Sequence, residues 1–221
     1  MGCNSKQKKL CKNNNCQICL GRSFASFKEK TDNGKLKIDC WDKTKNADTK
    51  PRDVFKSSGK KYWFKCDNCH HNFESPISNI TSKRTTWCSY CCIPSRILCD
   101  DKESCDTCLN KSFASFKGKT IKGKLKVDCW HKTKNGDTKP RDVFISSNKK
   151  YWFKCDNCPH DFESCIYSIT SINLHWCPYC SNQKLCDKDS CNDCLNKSLA
   201  SFKEKTVKGK QKIDCWHKTK N

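Results

Sequence analysis

A small α+β fold, repeated in tandem and held at metal-binding cysteine knuckles instead of by an apolar interior, is what this sequence predicts. Three observations lead there. Of 221 residues 23 are cysteine, and twenty of them follow a pattern that returns about every 88 residues. Leu, Ile, Val and Phe together make only 37 of the 221 residues, the proportion expected of a disordered chain. Lys and Arg number 44 against 23 acidic residues, a formal net charge of +21. A chain this polar folds only if something replaces the missing core. Paired thiolates offer that replacement, because a structural zinc ion supplies on the order of 10–16 kcal/mol of apparent binding free energy, most of it only to the folded state.

The strongest signal is Cys66-x2-Cys69, 18 residues, then Cys88-x2-Cys91, repeated as Cys155-x2-Cys158, 18 residues, then Cys177-x2-Cys180. Two CxxC knuckles at equal spacing in both copies are the donor set of a tetrahedral zinc site. The short loops and strand-like segment between them favour zinc over an iron–sulfur cluster. A second set is Cys11, Cys16, Cys19 and Cys40, recurring as Cys99, Cys105, Cys108 and Cys129, and as Cys186, Cys191, Cys194 and Cys215. The gap from third to fourth cysteine is 20 residues in all three copies. Two readings of that last cysteine, always in a DCW tripeptide, stay open: a fourth zinc ligand, or a small buried residue beside Trp41, Trp130 and Trp216. With ligation the chain holds about five structural zinc ions. Cys3, Cys92 and Cys165 fall outside this scheme. His71 and His160 follow a knuckle by two positions, placed to donate to a zinc-bound sulfur or to face solvent. His131 and His217 align with Asp42, which argues against a metal role; His70 and His175 have no counterpart.

Repeated blocks set the organisation. KPRDVF stands at 50–55 and 139–144, KKYWFKCDNC at 60–69 and 149–158, and SFASFK at 23–28 and 112–117, with SLASFK at 198–203. The expected division is 1–10 as the remnant of a preceding unit, 11–98 as repeat 1 (cysteine cluster 11–40, knuckle module 61–92), 99–185 as repeat 2 (cluster 99–129, module 150–181) and 186–221 as a partial repeat 3. Both ends look like those of a slice from a longer array.

Within a unit, Ser23, Ser112 and Ser198 are expected N-caps of a short helix. Pro51 and Pro140 open another. Lys61–Lys65 reads as an aromatic strand entering the first knuckle, with Phe73 and Phe162 on the returning strand. Residues 77–82 and 166–171 give one or two helical turns before the second knuckle. Knuckle, hairpin, short helix and second knuckle suggest a treble-clef or zinc-ribbon module. WFKCDNCHHNFES…WCSYC and WFKCDNCPHDFES…WCPYCSNQKLC resemble the zinc-ribbon, treble-clef repeat family found in tandem in large DNA viruses and some fungi. Some members carry a nuclease-like domain, so the resemblance implies DNA-associated work. Ser89 in place of proline and the extra Cys92 depart from the family pattern.

Function is less legible. Each four-thiolate zinc site lowers the formal charge by two, yet the protein stays basic. Only Arg22, Arg52, Arg84, Arg96 and Arg141 are arginine; lysine suits phosphate backbones, whereas arginine reads bases. The expected function is weak, non-specific DNA or RNA binding through Lys60, Lys61, Lys65, Lys149, Lys150 and Lys154. Tyr62 and Phe64 lie on one face of their strand and Trp63 on the other, so at most one face is free to stack on a base, the aromatics otherwise forming a miniature core. A protein-interaction scaffold is the alternative, its lysines then reflecting composition bias. A closed four-thiolate site has no open coordination position, and no carboxylate cluster at nuclease spacing is present, so neither catalysis nor a small-molecule substrate is expected. Reduced, metal-bound thiols and no apolar run of membrane-spanning length point to an intracellular protein of cytoplasm or nucleus with no membrane partner.

Overall fold

The computed structural model describes residues 3–4, 8–83, 86–101, 104–171, 176–188 and 190–216. His175 and His217 lie outside them. The chain divides into two compact units, 1–101 and 102–221.

In the first unit, α1 (Gln17–Arg22) starts directly behind the Cys16 knuckle residue. A single 3-10 turn, Phe24–Ser26, follows. Ser23 stands at the cap position, but its Oγ donates to Leu20 O at 2.8 Å, closing the preceding helix instead of capping the next. Its neighbour Phe24 N–H donates to Val54 O at 2.7 Å, which joins this segment to the KPRDVF block. The expected proline-led helix is also one 3-10 turn, Pro51–Asp53, closed by the Lys50 N–H donating to Asp53 Oδ2 at 3.2 Å. Between them Thr31 to Lys35 makes a tight turn in which Gly34 takes φ +84°. Only glycine adopts that conformation without a Cβ penalty, and Gly123 and Gly209 repeat it at +83° and +80°.

The hairpin forms as its alternation predicts. β1 (Lys61–Lys65) pairs antiparallel with β2 (Asn72–Pro76), Phe64 opposite Phe73 and Trp63 opposite Glu74. The outer edge of β1 is covered, not left open. Trp41 bridges to Phe64, and the buried Asn46 accepts from Trp63 N–H at 2.9 Å and donates to Trp63 O at 2.8 Å. α2 (Ile77–Thr81) then drops Ile77 and Ile80 under the sheet.

One aromatic cluster ties these pieces together. Phe24, Trp41, Val54, Phe64, Phe73, Ile77 and Ile80 are buried together with Cys66 and Cys88. Phe64 meets Phe24, Trp41 and Trp87 edge to face at 5.6–5.9 Å between centroids, each pair worth about 0.5–1.5 kcal/mol beyond area burial. Thr31 also donates to Asp67 Oδ2 at 2.5 Å, tying the glycine turn to the knuckle.

The second unit repeats this design with α3 (Asp106–Leu109), β3 (Lys150–Lys154), β4 (Asp161–Cys165) and α4 (Ile166–Thr170). It continues into α5 (Asn192–Leu195) and the start of a third copy. There Leu199 and Trp216 are 47% and 56% exposed, whereas their counterparts Phe113 and Trp130 are 0% and 8% exposed. The difference has a plain cause: among the described residues no hairpin covers the third copy.

Candidate metal centres

Each hairpin knuckle brings its four cysteines together as the spacing predicts. Cys66, Cys69, Cys88 and Cys91 have all Sγ atoms within 4.8 Å of one another, as do Cys155, Cys158, Cys177 and Cys180. The Sγ–Sγ edges Cys66–Cys91, Cys69–Cys88 and Cys155–Cys180 are each 3.6 Å, and Cys158–Cys177 is 3.7 Å. A tetrahedron with Zn–S bonds of about 2.3 Å has edges of about 3.8 Å, whereas a disulfide has sulfurs about 2 Å apart. The donors therefore fit zinc and exclude a disulfide at both knuckles. The Cys88 thiol, followed by the neighbouring backbone amides, holds the Cys66 thiol down at about 5, while burial pushes Cys69 and Cys177 up to about 12. One thiolate is thus ready-made and others must give up protons to a metal.

The second class of site is assembled differently from the sequence expectation. Cys11, Cys16 and Cys19 gather with Cys3, not with Cys40. Cys186, Cys191 and Cys194 gather with His160, not with Cys215. His160 Nε2 lies 3.3 Å from Cys191 Sγ and 3.4 Å from Cys194 Sγ, close to the roughly 3.5 Å edge that zinc–nitrogen and zinc–sulfur bond lengths imply. His71 has the posture of His160, its ring stacked on Tyr90 at 4.4 Å as His160 stacks on Tyr179 at 4.2 Å. By repeat register His71, Cys99, Cys105 and Cys108 are the counterparts of His160, Cys186, Cys191 and Cys194. Among the described residues the chain thus carries donors for five zinc ions, two hairpin sites and three of the second class.

Cys40, Cys129 and Cys215 are the correction. Cys40 and Cys129 are 2% and 1% exposed and belong to none of the clusters. Cys129 Sγ lies 3.7 Å from Leu125 O. Burial pushes both thiols up to about 11, with the Asp67 charge adding to Cys40, so both stay protonated at neutral pH. Cys215 is exposed and contacts Gln211 O at 3.7 Å. The fixed spacing that suggested ligation has another origin. Trp41 and Trp130 must reach Phe64 and Phe153 across the sheet edge, and the preceding cysteine is carried along into the packing. Cys3, read from sequence as a leftover, is instead a fourth donor.

The KPRDVF arginine also acquires a role. Arg52 Nη2 lies 3.8 Å from Cys11 Sγ and donates to Asn13 O at 2.8 Å, placing positive charge beside a four-thiolate site of net charge −2. His131 and Asp42 are explained as loop caps. Asp42 Oδ1 accepts from Lys45 N–H at 2.9 Å, and His131 Nδ1 accepts from Lys134 N–H at 3.2 Å.

All six lysines singled out from the sequence, Lys60, Lys61, Lys65, Lys149, Lys150 and Lys154, are exposed. No helix among the described residues is long and apolar enough to cross a membrane.

Comparison with known proteins agrees with this geometry. An uncharacterized protein of Acanthamoeba polyphaga mimivirus is 31% identical over 198 residues, a span covering 88% of this chain and 42% of that protein. The chain therefore spans less than half the length of that relative. The family described as "Probable Treble clef zinc finger domain" matches residues 38–94 and 127–183. Both segments run from the buried cysteine–tryptophan pair through the hairpin to the second knuckle, and the chain belongs to this treble-clef zinc finger family, in two tandem copies.

Proposed function

We propose that this tandem zinc finger protein binds nucleic acid weakly and without sequence preference, its zinc ions serving to hold the folded surface. The observation that carries the reading is the outward face of each hairpin. Trp63 points away from the core between exposed Lys61 and Lys65, and Lys45 Nζ sits 4.1 Å from its ring centroid. Trp152 repeats this between Lys150 and Lys154, with Lys134 Nζ at 4.5 Å. Beside the first hairpin, a cleft of about 730 Å³ adds Lys35 and Lys43 along its wall, partly offset by Asp39, Asp42 and Asp67. Aromatic rings with lysines at their rims suit a stacked base and its phosphate. Glu74 and Glu163 share that face opposite the tryptophans, which keeps the attraction modest. The near absence of arginine argues against base reading, and weak contacts on two copies would add through linkage.

The test is fluorescence anisotropy of labelled single-stranded and duplex DNA and RNA with the zinc-loaded chain across a salt series. Binding at low salt that falls steeply as salt rises supports the proposal. No binding at low salt refutes it, and a protein partner retained after nuclease treatment would favour the scaffold alternative.

A further inference from the structure

We propose that His160 couples two zinc centres, so that occupancy of one site governs how firmly the other holds its metal. The imidazole reaches both. Its Nε2 faces Cys191 and Cys194 at 3.3 and 3.4 Å, while its Nδ1 lies 3.2 Å from Cys158 Sγ, a donor of the hairpin site. The ring is held flat against Tyr179 at an interplanar angle of 13°, and Tyr179 stands between Cys177 and Cys180, two further donors of that hairpin site.

Chemistry fixes the proton. A neutral imidazole that lends the Nε2 lone pair to a metal carries its hydrogen on Nδ1. That N–H then donates to the Cys158 thiolate and draws charge from a sulfur that shares in the hairpin site. Conversely, a formed hairpin site fixes Cys158 and Tyr179, and with them the direction in which Nε2 points. A histidine already aimed at Cys191 and Cys194 closes their site with less ordering to do. Coupling of this kind is reciprocal. It goes beyond a shared structural role for zinc, since the two sites stop being independent.

The test uses the full zinc-loaded chain and residue-resolved alkylation by N-ethylmaleimide, read by peptide mass spectrometry at Cys155, Cys158, Cys177 and Cys180. Cys191→Ser leaves the hairpin cysteines and His160 untouched. By releasing His160 from its metal and so loosening the Nδ1 contact to Cys158, it is expected to speed alkylation of the four hairpin cysteines, by about tenfold if that contact is lost outright. His160→Ala is expected to do the same, and adding Cys191→Ser to it to change nothing further. Unchanged alkylation in Cys191→Ser overturns the proposal, as does a double variant whose effects simply add. The Cys191→Ser arm stands even if His160→Ala fails to fold.

Discussion

Replacing Cys129 with alanine separates a core thiol from a zinc ligand by magnitude. The side chain is 1% exposed and directly precedes Trp130 in the chain, and the change deletes one buried sulfur. Loss of one buried heavy atom costs about 1–2 kcal/mol including the small cavity. In a unit of roughly 100 residues that lowers Tm by about 5–10 °C. Loss of a ligand would act on another scale, because the zinc it holds contributes on the order of 10–16 kcal/mol. Zinc content per chain, measured after denaturation with a chromophoric chelator, is therefore expected to match the unaltered protein, with a lowered but cooperative melt. Cys191→Ser provides the contrast and should lose one zinc. If Cys129→Ala also sheds one zinc per chain, the placement of the buried cysteine in the core is wrong.

Further outcomes follow from the same geometry. Exhaustive chelation should abolish the far-UV signature of both hairpins, since the aromatic clusters alone are small; a folded spectrum without metal would contradict this. Zinc binding to the reduced apo chain at pH 7 should release about two or more protons per hairpin site, because Cys69 and Cys88 are held protonated. Protons therefore compete with the metal, affinity falls as pH falls, and an unbuffered titration without acidification would contradict the donor assignment. Trp63→Ala with Trp152→Ala should weaken single-strand binding by about 1–3 kcal/mol per stacked base with little change in the melt; unchanged binding would leave only the lysines as contacts. Zinc-loaded protein with added Mg²⁺ is expected to leave DNA intact, and cleavage beyond that of a Cys66→Ser control would overturn the binding-module reading.

How much of this was written in the sequence depends on whether a contact is local. The hairpin sites were legible because both knuckles and the strand between them lie within one short segment, and alternation separated Tyr62 and Phe64 from Trp63, though it left open which face turns inward. The helical turns at 77–81 and 166–170 were legible for the same reason. The proline-led segments were recognised but came out as single 3-10 turns, because Phe24 and Val54 pair at once and leave no room for a longer helix. The fourth donor of the second site class was hidden. His160 comes from a hairpin upstream, across a gap whose length carries no metal signature, while the downstream cysteine had the regular spacing that normally signals ligation. The CDNCxH register of His71 and His160 was the available clue, and its second contact, Nδ1 toward Cys158, matches the outer-sphere reading made from sequence.

That each second-class site draws its last donor from earlier in the chain gives synthesis a direction. His160 has left the ribosome before Cys186, Cys191 and Cys194 do, and Cys3 precedes Cys11, Cys16 and Cys19. Each of these two trios of thiols therefore emerges after the donor that completes its site, so zinc can bind it as soon as the trio itself is made.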